Sequence, residues 1–186
     1  MRIISGSLKG KKINFLKSSV TRPLKDAVKE SIFNIISHSN MFDLDLEKSN
    51  ILDLYSGIGS FGLECISRGA NKVIFVEKDK NASKVISQNL LTLNIMSKAI
   101  VVKEQITNFL NKKNLGKFNI FFLDPPYINT NYLDDLILIK QKKIYKKQHI
   151  VIIHRDRKSS DTYEKTLETI LIRTYGRSKI IFAKFL

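Results

Sequence analysis

From Ile51 onward the chain alternates short β-rich apolar runs with longer stretches of helical period, and this order restricts the fold more than any other property. The predicted strands are Ile51–Tyr55, Lys72–Val76, Ala99–Val102, Ile120–Leu123 and His149–Ile153. Between them, helices are predicted after Gly59 to about Arg68, through Val85, Leu90 and Leu93 to about Met96, from Ile106 to Leu110, and over Tyr132–Ile139. Strand–helix alternation implies a parallel sheet covered by helices on both faces, because parallel neighbours need a crossover between them. The tail breaks the pattern. Thr169–Thr174 and Lys179–Phe185 flank Tyr175-Gly176-Arg177-Ser178 and read as a β-hairpin, an antiparallel addition at the sheet edge. Ahead of the sheet, Arg2–Phe15 alternates loosely around Gly6 and Gly10 as a short hairpin. Val28, Ile32, Ile35 and Ile36 then place one apolar stripe on a helix. The expectation is an α/β, Rossmann-like domain over residues 41–186 preceded by a hairpin-and-helix extension over residues 1–40.

Charge suggests the partner. The chain carries 32 Lys+Arg against 17 Asp+Glu, a net +15, which favours an acidic partner, usually nucleic acid. Abundant Lys, Asn and Ile also fit the codon bias of an AT-rich genome, so clustering is the better guide. Residues 1–30 hold Arg2, Lys9, Lys11, Lys12, Lys17, Arg22, Lys25 and Lys29 against Asp26 and Glu30 alone. A second cluster, Lys140, Lys142, Lys143, Lys146 and Lys147, fits a solvated helix end or loop. No apolar run approaches the ~18 residues of a membrane span, no signal-like segment opens the chain, and Cys65 has no partner for a disulfide. A cytoplasmic protein without a membrane anchor or a metal site is expected.

In an open parallel sheet, ligands bind beyond the carboxyl ends of the strands. Three motifs lie there. Asp53-Leu54-Tyr55-Ser56-Gly57-Ile58-Gly59 supplies glycines for a tight turn and close backbone approach. Glu77, just past the second strand, can accept from both hydroxyls of a ribose. Gln105, after the third, fits either an adenine contact or a plain surface position. Gly57-x-Gly59-x-x-Gly62 formally satisfies a dinucleotide fingerprint, so spacing leaves any adenosine-bearing cofactor open, NAD included.

The fourth strand ends in Asp124-Pro125-Pro126-Tyr127. Neither proline can donate to a ladder, so the strand stops there. The corner offers a carboxylate, free carbonyls and a ring. That inventory suits an exocyclic amine on a stacked base, or equally a strand terminator followed by a surface tyrosine. A hydride-transfer enzyme has no evident need for it; a methyltransferase acting on a base amine does.

Taken together these motifs resemble the class I S-adenosylmethionine-dependent methyltransferases. More narrowly, they resemble the bacterial RsmD family, which methylates the exocyclic N2 of a guanine in small-subunit (16S) ribosomal RNA. The resemblance covers nearly the whole chain. It is carried by Met1-Arg2-Ile3-Ile4-Ser5-Gly6 with Lys9-Gly10-Lys11, Thr21-Arg22-Pro23 running into Lys29-Glu30-Ser31-Ile32-Phe33-Asn34, Leu52 to Glu64, Val76-Glu77-Lys78-Asp79 and Asp124-Pro125-Pro126-Tyr127. It implies a seven-stranded, mainly parallel sheet with its last strand reversed. It implies S-adenosylmethionine held by Asp53, Tyr55, Gly57, Gly59, Glu77, Lys78, Gln105 and Ile106, with Asp124, Pro125, Pro126 and Tyr127 as the catalytic corner. Asp124 and the Pro125 carbonyl would accept the amine hydrogens while Tyr127 stacks on the base. Arg22, Lys9, Lys11 and Ser5 would meet RNA, with a helix-entry salt bridge as the alternative for Arg22. The partner would be ribosomal RNA in the small subunit or its assembly intermediate, bound by a monomer. His154 stands where the family tends to carry Glu, and His38, His149 and His154 are expected to be structural. The competing readings are a DNA adenine-N6 methyltransferase, a protein-glutamine methyltransferase, an NAD-linked oxidoreductase and a non-catalytic RNA-binding assembly factor on the same fold.

Overall fold

A computed structural model describes residues 1–16, 24–38, 41–128 and 130–186. Seven strands form one sheet: β1 (Asn50–Leu54), β2 (Lys72–Val76), β3 (Ala99–Val102), β4 (Phe118–Leu123), β5 (Tyr145–Asp156), β6 (Leu167–Tyr175) and β7 (Ser178–Phe185). Their spatial order is β3-β2-β1-β4-β5-β7-β6. β1 to β5 are mutually parallel, and β7 runs antiparallel between β5 and β6. The chain builds outward from β1 to β3, then returns to lay β4 on the other side of β1. This reversal opens a crevice at the carboxyl ends of β1 and β4.

Alternation along the strands divides the apolar side chains between two cores. Ile120 and Phe122 of β4 face one way, into a core shared with Ile51, Phe75, Ile152 and Phe182. Phe121 and Leu123 face the other, with Leu52, Leu54, Val151 and Ile153. The first core lies under α1 (Asp26–His38), α2 (Ser60–Ser67) and α3 (Lys80–Thr92); the second lies under α4 (Ile106–Asn111) and α5 (Tyr132–Lys142). Phe33, Phe61 and Phe122 stack across the first, with centroids 5.2 and 4.0 Å apart. All eight residues of α2 are buried, because the N-terminal segment covers the side that the sheet does not. No helix among the described residues is long and apolar enough to cross a membrane.

That segment differs from the expected hairpin. It forms one isolated bridge, Arg2 to Lys12, closed by bonds from the Ile3 amide to the Lys11 carbonyl and from the Ile13 amide to the Met1 carbonyl. Its docking on α2 takes the place of a longer ladder. The amides of Ile4 and Ser5 donate to the fully buried Glu64 carboxylate at 3.0 and 2.9 Å, and the Leu8 amide donates to Ser67 Oγ at 3.0 Å. Further on, Asn89 of α3 clasps Asn14 from both sides: its Oδ1 accepts the Asn14 amide and its Nδ2 donates to the Asn14 carbonyl.

Two other expectations shift. The helix through Leu93 ends at Thr92, and a short 3-10 turn, Met96–Lys98, carries the chain into β3. β5 is longer than the apolar run His149–Ile153 and begins at Tyr145, so Lys146 and Lys147 belong to a strand rather than to a helix end or loop. The polar start escapes the apolar pattern because the register slips there, Phe118 pairing with Tyr145 but Ile120 with Ile150. His149 closes the irregularity. Its Nδ1 bonds the Lys146 carbonyl at 2.7 Å, and its Nε2 accepts the Phe185 amide at 3.0 Å. Burial pulls its imidazole below the usual range, so the neutral ring that this arrangement needs is the favoured one.

Candidate active site

A cavity of about 750 Å³ opens at the crevice, within the range of small-molecule and cofactor sites. Its floor is the end of β1. Asp53 points toward α2, where its Oδ2 accepts the Gly62 amide at 3.0 Å. A Cβ at Gly62 would stand 2.3 Å from the Phe75 ring and 2.9 Å from that oxygen, so the glycine lets the helix sit close on the sheet. Beyond Leu54 the chain turns through Tyr55, Gly57 and Gly59, all at positive φ, and the Gly59 amide closes the turn on the Ser56 carbonyl at 2.7 Å. The Tyr55 hydroxyl donates to buried Asp135 of α5 at 2.7 Å, and Thr107 of α4 bonds the other oxygen of that carboxylate.

Glu77 forms one wall. Its Oε2 accepts the Gly57 amide and its Oε1 the Asp79 amide, both at 2.8 Å. The glycine loop is thereby tied to the end of β2. Each carboxylate oxygen keeps a further lone pair for a hydroxyl donor. Opposite, at the end of β4, stand Asp124 and the double proline, and Gln105 and Ile106 close the side next to α4.

The lining is acidic although the chain is strongly basic. Asp53, Glu77, Asp79, Glu104, Asp124 and Asp135 all face the cavity, with Lys78 as the single lysine on the wall among the described residues. Burial pushes the Asp53 carboxyl well above the usual range, the bond from Gly62 opposes this, and the charges of Asp124 and Glu77 add to it. Burial likewise raises Asp135, against the bonds from Tyr55 and Thr107. Such a pocket favours a cation. The same charge opposes the pyrophosphate of a dinucleotide, and the loop amide of Gly57 is already given to Glu77.

The Asp-Pro-Pro-Tyr corner is held from β5. Arg155, 2% exposed, donates to the carbonyls of Pro126 at 3.2 Å and Tyr127 at 3.1 Å. The same guanidinium bonds Asp161 at 2.9 Å and lies 4.7 Å over the Tyr132 ring. The Pro125 carbonyl receives no bond from the described residues. His154 meets the corner from the same strand: Nδ1 is 2.8 Å from Asp124 Oδ1, and the Tyr127 hydroxyl is 3.4 Å from Nε2.

The structure therefore gathers Asp53, Tyr55, Gly57, Glu77, Lys78, Gln105, Ile106, Asp124, Pro125, Pro126 and Tyr127 around one cavity. Gly59 shapes it from behind, where a Cβ would press on Phe75 and Ile86. Phe61 is buried and also borders the cavity. Ser5, Lys9 and Lys11 are not on the wall. The two lysines are exposed, and Ser5 is bound through its backbone to α2. Arg22 lies outside the described residues, while Leu16 and Leu24 on either side of that stretch both line the cavity. Reading the sequence missed Arg155 and gave His154 a purely structural part. The signal that could have found them is positional, since they stand just past the apolar run of β5, next to the strand that ends just before Asp124.

Sequence comparison identifies the family. The RsmD family, described as "Conserved hypothetical protein 95", matches residues 1–184. The chain belongs to this family. Among RsmD-family relatives, "Putative rRNA methyltransferase YlbH" of Bacillus subtilis is 34% identical over 99% of this chain and 98% of its own length. "Ribosomal RNA small subunit methyltransferase D" of Haemophilus influenzae is 38% identical over 68% of this chain and 64% of its own length. The solved structure of yhhF from Escherichia coli superposes with a TM-score of 0.84 at 24% identity, covering 100% of this chain and 97% of that one. At that identity the likeness speaks for the fold, which is that of the class I, S-adenosylmethionine-dependent methyltransferases.

Proposed function

We propose that this RsmD-family protein transfers the methyl group of S-adenosylmethionine to the exocyclic N2 amine of a guanine in small-subunit ribosomal RNA. The observation that carries the reading is the position of Asp124, a carboxylate at the rim of a carboxylate-lined cavity, beside a carbonyl that receives no bond from the described residues. The residues suit a sulfonium cofactor. Glu77 offers acceptors to a ribose, Gln105 and Ile106 border a slot for adenine, and Asp53 with Asp124 supplies negative potential for a cation. When bound, S-adenosylmethionine supplies an electrophilic methyl carbon on a sulfur that departs as a neutral thioether.

The chain's own residues prepare the nucleophile. A guanine N2 lone pair is delocalised into the ring and attacks poorly. Asp124 and the Pro125 carbonyl accept its two hydrogens, orient the nitrogen and favour a localised lone pair, while Tyr127 stacks on the base. The amine loses one proton as the new N–C bond forms, and Asp124 is the acceptor within reach. The base must leave any stack to enter, so the target is an unpaired nucleotide. The exposed Lys9 and Lys11, with Arg22, contribute phosphate contacts. The protein acts in the cytoplasm as a monomer on the small subunit or its assembly intermediate, and residues 1–40 act as its RNA-binding extension.

Labelled-methyl transfer to naked ribosomal RNA, free small subunits and assembled ribosomes, with the product nucleoside identified by mass spectrometry, tests the reading. N2-methylguanosine is expected, and D124A should abolish its formation while cofactor binding stays within a few-fold. N6-methyladenine from DNA, or full turnover by D124A, would overturn it.

A further inference from the structure

His154 is 5% exposed and directly follows the buried apolar run of β5. Leu123 pairs with Ile153 in parallel register, so Asp124 and His154 are the next two residues along neighbouring strands. Their side chains meet, with Nδ1 of the imidazole 2.8 Å from Asp124 Oδ1. On the other side of the ring, Nε2 lies 2.9 Å from Ser178 Oγ, at the start of β7, and 3.4 Å from the Tyr127 hydroxyl.

The bonding fits one tautomer of the neutral ring. An ionised carboxylate only accepts, so the contact with Asp124 requires a proton on Nδ1. In the neutral ring Nε2 is then an acceptor, and the Ser178 hydroxyl is its donor. The arrangement uses one oxygen of Asp124 and leaves the other. Among the described residues no protein donor bonds Oδ2, and the Asp124 side chain keeps 26% exposure. A carboxylate's terminal torsion is broad and nearly two-fold, so without a fixed donor the group would sample many rotations.

We propose that His154, with its tautomer set by Ser178, is the positioning residue of Asp124. Its Nδ1–H occupies Oδ1 and turns Oδ2 toward the substrate amine. The role rests on the methyl-transfer function proposed above. It adds the source of Asp124's orientation, two side chains drawn from β5 and β7. Tyr127, also in contact with the ring, is aligned by the same imidazole.

The experiment combines nitrogen NMR of the His154 ring with turnover of three variants. The ring should show the proton on Nδ1 in the free protein, and S178A should shift it toward a mixture of tautomers. H154N keeps an N–H close to the Nδ1 position and should retain kcat within several-fold. H154L fills the space without a donor and should lose roughly 10- to 100-fold in kcat, with KM for RNA and cofactor affinity little changed. Melting temperatures of both variants identify any loss from misfolding. A packing role predicts the opposite ranking, with Leu tolerated at least as well as Asn. A proton on Nε2, wild-type turnover in H154L, or equal losses in H154N and H154L would each overturn the proposal. Absence of methyl transfer by the wild-type protein would instead overturn the proposed function, and the tautomer measurement would still decide the part assigned to His154.

Discussion

Replacing Arg155 by Met should both destabilise the protein and loosen the Asp-Pro-Pro-Tyr corner. The guanidinium is 2% exposed, and Asp161, its ionic partner, has a side chain only 8% exposed. Removing one member of a buried pair leaves the other charged and unpaired, which costs about 3–5 kcal/mol. For a chain of this length each kcal/mol lowers the melting midpoint by about 2–4 °C, so R155M should melt roughly 6–20 °C below wild type. The double variant R155M/D161L removes the stranded charge as well and should recover most of that loss, giving a coupling energy of about 2 kcal/mol or more. It should not recover turnover. The bonds from Arg155 to the carbonyls of Pro126 and Tyr127 are still absent, and a displacement of about 1 Å at a reacting centre can cost on the order of 100-fold. Denaturant titrations and labelled-methyl transfer on the four proteins of the cycle measure both effects. Additive stabilities would refute the ionic accounting, and full turnover by the double variant would refute the claim that Arg155 places the corner. The pair also has a pH signature. Burial alone would raise the Asp161 carboxyl, but the bond to Arg155 holds it below the usual range. Its contribution to stability is therefore present above the unfolded value and lost as pH falls through the lowered folded value, a loss absent from R155M.

Asp53 has the opposite sign: burial raises its folded value, so the cofactor-free protein should lose stability as pH rises from the ordinary aspartate value through the raised one. In D53N, melting should be flatter over that window, and cofactor binding to the wild type should release protons, read as a buffer-dependent heat in calorimetry. G6A should detach the N-terminal segment, because a Cβ there would lie 2.0 Å from the Ser67 carbonyl oxygen and φ is +81°; faster amide exchange at Ile4, Ser5 and Leu8 reports it. G57A meets no neighbour within 4 Å, so only its positive φ opposes it, a cost of about 1–2 kcal/mol in melting experiments. Y55F removes the donor to buried Asp135 and should cost about 1–3 kcal/mol, measured by denaturant titration.

The sheet was legible because its central strands are continuous apolar runs that stop at glycine, proline or acidic residues. Asp53, Glu77 and Asp124 could be assigned to strand ends, and the parallel order then brings those ends together. The start of β5 was not legible, since Tyr145 to Gln148 has no apolar alternation and pairs through a slipped register. Arg155 and His154 read as the polar end of a strand because Asp124 and Pro126, their partners at the corner, lie about 30 residues away, across the sheet. The docking of residues 1–16 was hidden for a related reason. It depends on Glu64 and Ser67, two polar residues in a helix whose burial gives no periodic signal.

That last helix limits how the protein can be divided. With every residue of α2 buried, the face carrying Glu64 and Ser67 has no solvated state available while the fold is intact. A fragment beginning at residue 41 would keep every residue proposed to hold the cofactor. It would also expose a carboxylate whose amide donors had been cut away and an apolar strip that had been covered by Ile3 and Ile13. Such a fragment should aggregate rather than bind. The extension and the cofactor fold would then have to be inherited, expressed and transplanted as one piece.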